Sequence, residues 1–174
     1  MRSFFEWLGA MESSVALRES LNAYPIMLTS HVIGMCMFAG LIMMMDLRLA
    51  GIGNFNSSVT DVQKRLFPWQ MVGFAISIVT GLLLLYSDPM RFYPNFYFWA
   101  KNLLLVLAGL NMWYFHATTY QSVSLWDNDR TPPFSARMAG VLSLAFWASI
   151  IVVGRMIAYA DLVPQWWKDL NLAG

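Results

Sequence analysis

Residues 24–45 read YPIMLTSHVIGMCMFAGLIMMM, an unbroken apolar run with no Asp, Glu, Lys or Arg. A helix crosses the hydrocarbon of a bilayer with about 20 such residues, so this stretch predicts a transmembrane helix and makes lipid the solvent. Working outward, three further runs have the same character, at about Leu66–Tyr86, Phe96–Ala117 and Met138–Ala160. Pro25, Pro68 and Pro94 are read at helix starts, where a missing N–H costs little, and Pro132–Pro133 lie in the loop before the fourth run. Trp69, Trp99, Trp126, Trp166 and Trp167 fall near the ends of the runs, as expected of rings that prefer the headgroup layer, and Trp113 and Trp147 fall deeper.

The whole chain agrees with this reading. Of its 174 residues 58% are hydrophobic and only 12% charged, about half the charge of a soluble domain, and the mean hydropathy is +0.51. A net charge of +1 leaves no basic footprint for nucleic acid. Cys36 is the only cysteine, which excludes an intrachain disulfide and Cys-rich metal sites. Neither histidine belongs to a serine-nucleophile or zinc-hydrolase motif, so hydrolysis is not supported.

The expected fold is all-α: a single membrane domain over residues 1–174, built as an integral membrane four-helix up-and-down bundle. Residues 1–23 mix Phe4, Trp7 and Leu8 with Arg2, Glu6, Arg18 and Glu19, which suits an N-terminal interfacial helix rather than a signal peptide. Residues 161–174 form a short amphipathic tail. Four spans place both termini on one side, and the cluster Arg48, Lys64, Arg65 favours cytoplasmic loops at the other side of a bacterial inner membrane, with the termini outside. Gly73, Ser77 and Gly81 recur four residues apart and serve either packing within the bundle or a dimer interface.

Ionisable groups at membrane depth cost on the order of 3 kcal/mol each and tend to mark function. In an up-and-down bundle they sort into two layers. The first, near the termini, holds His31, Tyr86, Lys101, Asn102, Arg155 and Tyr159; the second holds Asp46, Arg48, Trp69, Gln70, His116 and Arg137, with Asn111 between them on the third run. An ion pair from Asp46 to Arg48 or Arg137 is the simplest internal solution for the second layer. His31 and His116 fall roughly 22 Å apart in depth at 1.5 Å per residue, too far to share one haem.

Met27, His31 and Met35 lie at successive i+4 positions, so His31, Met35 and His116 are candidate metal ligands. Lys101 and Arg155 are candidate partners for an anionic group. Haem b, copper and no cofactor at all remain open. The leading functional expectation is a redox-type membrane protein holding a haem or metal cofactor near His31; the alternatives are a cofactor-free carrier, channel or accessory subunit, and a structural protein acting through a membrane or periplasmic partner or a homo-oligomer. Asp46, Arg48, Gln70, Asn102, Asn111, Arg137 and Tyr159 form the expected polar network.

The runs His31-Val-Ile-Gly34, Gly40 and Asp46-Leu-Arg48-Leu-Ala-Gly51 have a specific resemblance, shared by Pro68-Trp69, Gly73-Phe74, Asn95 to Phe98, Lys101, Asn111 and Phe115-His116. Ala136-Arg137-Met-Ala-Gly140, Ser143-Leu144, Trp147 and Gly154-Arg155-Met-Ile-Ala-Tyr159 continue it. From about Tyr24 to Tyr159 the chain resembles an uncharacterised family of small bacterial four-helix membrane proteins, a domain of unknown function; the resemblance implies the membrane fold and no activity. A more distant similarity, to four-helix b-type cytochromes, implies haem, but those hold two haems on four histidines and this chain has two.

Overall fold

A computed structural model of the chain describes residues 2–53, 55–159 and 162–172, and these contain helices and turns with no strand. The helices are α1 (Arg2–Gly9), α2 (Glu12–Glu19), α3 (Ala23–Leu49), α4 (Val59–Ser87), α5 (Pro89–Phe92), α6 (Phe96–Ala117), α7 (Phe134–Met156) and α8 (Gln165–Leu172), with a 3-10 segment at Thr119–Leu125. Three helices, α3, α4 and α7, are long and apolar enough to cross a membrane. The third expected run forms α6, but Lys101, Asn102, Asn111 and its aromatic ends lower its hydropathy, so it is not among those three.

Several expected boundaries move. The N-terminal segment is two short helices rather than one, broken at Ala10 and Met11. Helix α4 starts seven residues before the expected Leu66 because the Ser58 hydroxyl accepts from the Asp61 amide and caps it there. Pro68 therefore lies inside α4 and not at its start, and the amide bond it forfeits is tolerated in a long apolar helix. Helix α7 ends at Met156. Residue 160, the expected end of the fourth run, and residues 161, 173 and 174 of the expected tail lie outside the described residues.

Helix α3 is the hub, packed along its length on α4 and on α7, with α6 on α7. The α3–α4 seam is antiparallel and close because Gly73 and Gly34 leave it open. A Cβ on Gly73 would stand 2.8 Å from the Phe38 amide nitrogen, and one on Gly34 2.8 Å from Ile76 and 2.9 Å from the Ser77 hydroxyl. The small-residue stripe of α4 thus packs inside the molecule, against α3. Asn111 of α6 donates to the Ala139 carbonyl of α7 at 3.0 Å, and Asn95 to the Ile157 carbonyl at 3.0 Å, which makes α6 and α7 antiparallel.

Two apolar clusters fill the interior. One joins Ala39, Ala108, Trp147 and Ile150 with Met35 and Phe38; the other joins Met45, Leu49, Val59, Val62, Phe115, Trp126 and Ala136. Trp147 is buried as its deep position suggested, but Trp113 is 67% exposed on the outer surface, consistent with a lipid-facing ring.

The N-terminal helices dock on the end of α4. Ser14 is fully buried and donates to the Tyr86 carbonyl at 2.7 Å, Ser13 hydrogen-bonds the Tyr86 hydroxyl, and Phe5 meets the Tyr93 ring at 4.8 Å. Helix α8 arrives at the same end, where Trp167 donates to the Pro94 carbonyl and packs on Phe96.

At the opposite end Asp127, in the turn after the 3-10 segment, caps α4 from outside. Its carboxylate accepts from the Thr60 amide at 2.8 Å and the Thr60 hydroxyl at 2.5 Å. Asp127→Ala is expected to destabilise the fold by about 1–2 kcal/mol, the usual loss for a helix cap. Faster hydrogen exchange at Thr60 would check it, and unchanged exchange there would refute it.

Candidate functional site

The antiparallel register assembles one polar level near the termini. Phe38 and Trp147 meet edge to face at 5.2 Å, so equal steps back along α3 and forward along α7 bring His31 level with Gly154 and Arg155. On α4 the partner is Gly81, whose missing side chain admits the imidazole: a Cβ there would lie 3.1 Å from His31 Cε1. Lys101 of α6 runs over Gly154, with its stem and Nζ 3.7–3.9 Å from where a Cβ would stand.

The His31 ring is held from one side. Nδ1 faces the Ser77 carbonyl at 3.0 Å and the Thr80 hydroxyl at 3.1 Å. The Thr80 hydroxyl itself donates to the Ile76 carbonyl at 2.5 Å, so Nδ1–H donating to the Ser77 carbonyl is the tautomer that satisfies both groups. Nε2 then carries the free lone pair and has no hydrogen-bond partner among the described residues. Ser77 and Thr80 were not singled out as site residues in the sequence. Their signal was the spacing that puts Ser77, Thr80 and Gly81 on the face of α4 turned to α3.

The other candidates separate in space. Met27 is buried and Met35 packs on the Trp147 cluster; both share the His31 face of α3, one turn to either side. Arg155 is exposed and engages Tyr159, by a hydrogen bond of 3.3 Å and by stacking of its guanidinium 5.5 Å from the ring centre. Lys101 is half-buried and has no carboxylate within 4 Å among the described residues, whose one ion pair is Arg2–Glu6. Asn102 is turned outward and donates to the Phe98 carbonyl of its own helix.

His116 belongs to the far end. Counting from the Asn111–Ala139 bond sets it level with Phe134, about 30 Å from the His31 level at 1.5 Å per residue, so no single metal joins the two imidazoles within one chain. His116 Nδ1 pairs with the Met112 carbonyl at 2.9 Å, and its ring lies on Tyr120 at 5.0 Å and edge-on to Phe115.

The second polar layer is built differently from the expected ion pair. Asp46 pairs with neither Arg48 nor Arg137. Two residues apart on one helix, Asp46 and Arg48 point to different neighbours: Asp46 is buried on the side of Ser143 of α7, and its Oδ2 has no partner. Arg48, 0% exposed, turns into the loops and donates from Nε to the Ser57 carbonyl at 2.9 Å and from Nη2 to the carbonyls of Asp127 and Asp129 at 3.2 and 3.1 Å. Arg137 is exposed, and Gln70 is buried on α4 nearer mid-span. Among the described residues no three His, Cys, Asp or Glu side chains gather as a metal site.

No curated protein and no solved structure matches the chain. A family model covers residues 4–160, nearly the whole of the helical assembly, and by it the chain belongs to a family of unknown function (DUF6644).

Proposed function

We propose that the protein is a small integral membrane protein of a bacterial inner membrane, with α6 as a fourth span beside α3, α4 and α7, and that its working site is the cationic level at His31. The observation that carries this reading is the orientation of His31. Its Nδ1 is tied to a backbone carbonyl, which sets the tautomer and ring angle, while Nε2 is left with a free lone pair. That is the arrangement by which proteins orient a ligating imidazole.

The group that suits these residues is haem b. His31 would hold its iron through Nε2, and Lys101 and Arg155 at the same level would pair with its acidic groups. Met27 and Met35 flank His31 one turn to either side on the same face of α3, so the residues that would hold the group are His31, Lys101 and Arg155. Copper suits them less, because soft ligands do not converge: Cys36 is on the exposed side of α3 and Met35 is held in the apolar cluster. Haem would supply one-electron chemistry. The chain's own residues would orient the iron through His31, hold the acidic edge through Lys101 and Arg155, and exclude water with the Trp147 cluster beneath.

The test is an absorbance spectrum of the detergent-purified protein, oxidised and then reduced, with iron and copper analysis of the same sample. A reduced-haem band with stoichiometric iron, lost in His31→Ala but not in His116→Ala, is the expected result; a colourless, iron-free protein overturns it. A second reading rests on Lys101, a half-buried ammonium without a carboxylate partner beside a histidine: the same level would bind a small anion in a cofactor-free carrier or accessory subunit. Anion binding by iron-free protein, lost in Lys101→Gln, would establish that reading instead.

A further inference from the structure

At the end of the molecule remote from His31, a shallow cavity of about 90 Å³ opens between the end of α3 and the first turns of α4. It is several times smaller than a cofactor pocket. Its wall is divided by chemistry: Met44, Val62 and Leu66 are apolar, and Ser57, Asp61 and Arg65 are polar. Asp61 and Arg65 stand one turn apart on α4, a spacing at which opposite charges ordinarily pair. Here no oxygen of Asp61 comes within 4 Å of an Arg65 nitrogen, and neither side chain makes a hydrogen bond among the described residues. Both charges line the cavity and are free to meet a ligand.

The position sets the chemistry of that ligand. Residues 57–65 lie just before the apolar part of α4, where a spanning helix leaves hydrocarbon for the headgroup layer; of the apolar lining Met44 is exposed, while Val62 belongs to the interior apolar cluster and Leu66 packs on it. A ligand entering there presents a polar head beside an apolar stem. The head must offer an anion to Arg65 and a cation to Asp61, two groups held a short distance apart.

We infer that this cavity binds the headgroup of a zwitterionic aminophospholipid, phosphatidylethanolamine in type. Its phosphate meets Arg65 beside Ser57, its primary ammonium donates to Asp61, and the start of its acyl chains lies on Met44 and the accessible edge of Leu66. Phosphate and ammonium are joined through two carbons, which suits two charges one helical turn apart. A trimethylated ammonium has no N–H to give Asp61, and a glycerol headgroup has no cation, so Asp61 discriminates against phosphatidylcholine and more strongly against phosphatidylglycerol. The inference rests on the membrane-spanning reading of α3 and α4 and is independent of any cofactor at His31.

Native mass spectrometry of the full chain in detergent, with equal amounts of phosphatidylethanolamine, phosphatidylcholine and phosphatidylglycerol of identical acyl chains, tests it. The expected order of retention is ethanolamine above choline above glycerol, with a preference of about fivefold for the first, the size of one exposed charge contact. Asp61→Asn should erase the preference while leaving general phospholipid retention, and Arg65→Gln should weaken all three. Both residues are exposed, and an unchanged unfolding temperature separates lost binding from lost folding. Equal retention of the three lipids, or a preference that survives Asp61→Asn, overturns the site. Free phosphoethanolamine in large excess should fail to displace the lipid; displacement would overturn the lipid as occupant in favour of the soluble headgroup. A chain missing from carbonate-washed membranes would instead overturn the membrane reading beneath it.

Discussion

Arg48→Ala is expected to destabilise the protein by about 3–5 kcal/mol, the cost of leaving several buried carbonyls without a donor. The guanidinium is fully buried and supplies all three of its bonds to loop backbone, at Ser57, Asp127 and Asp129. It therefore ties the α3–α4 turn to the segment between α6 and α7. Arg48→Lys should recover less than half of the loss, because a single ammonium cannot span carbonyls that a planar fork reaches from two nitrogens. Arg137→Ala, at an exposed position bordering the same end, should stay within about 0.5 kcal/mol of the native protein. Unfolding in mild detergent followed by tryptophan fluorescence would measure all three, and an unchanged midpoint for Arg48→Ala would refute the role assigned to it.

The second large effect is at the α3–α7 crossing. A Cβ on Gly140 would come within 2.8 Å of the Asp46 carbonyl oxygen, 3.0 Å of Leu49 Cβ and 3.1 Å of the Ala50 amide nitrogen. Two of these atoms belong to backbone, which cannot swing aside as a flexible side-chain end can. Gly140→Ala should therefore force the helices apart at a cost of about 1–3 kcal/mol. Gly40 and Gly109 have nothing within 4 Å of the corresponding position. Alanine at either should be neutral or stabilising by up to about 1 kcal/mol, since it lowers the entropy lost on forming a helix. Equal behaviour of the three variants in the same unfolding assay would show that close approach does not govern this crossing.

Much of this architecture was legible before any contact was known. Long apolar runs determine helices in lipid irrespective of their neighbours, because a backbone without water must bond within its own segment; α3, α4 and α7 follow from that alone. Helix α6 shows where composition stops deciding. Its Lys101 and Asn111 lower its hydropathy, yet Asn111 is spent on the Ala139 carbonyl and Lys101 lies along Gly154. The depth argument also brought His31, Lys101 and Arg155 to one level from helix direction and rise per residue.

Side-chain partners were beyond that reach, since they depend on which face of each helix meets the next. His31 has the Ser77 carbonyl at its Nδ1, a partner that no sequence spacing names, because the glycine stripe of α4 lets α3 approach on that side. Asp46 and Arg48 invited an ion pair, since opposite charges near one another in sequence are the cheapest satisfaction a one-dimensional reading can offer. Tertiary structure decided otherwise. A 100° turn per residue sends Asp46 towards Ser143 and Arg48 into the loop that follows its own helix, at Ser57, and into the segment at Asp127 and Asp129. The sequence by itself determined an all-helical chain with helices long and apolar enough to cross a membrane, and which polar groups share a level along them, because hydropathy and helical rise are local properties. Only the tertiary structure decided which atoms those groups touch, because helix rotation and loop closure are set by distant residues.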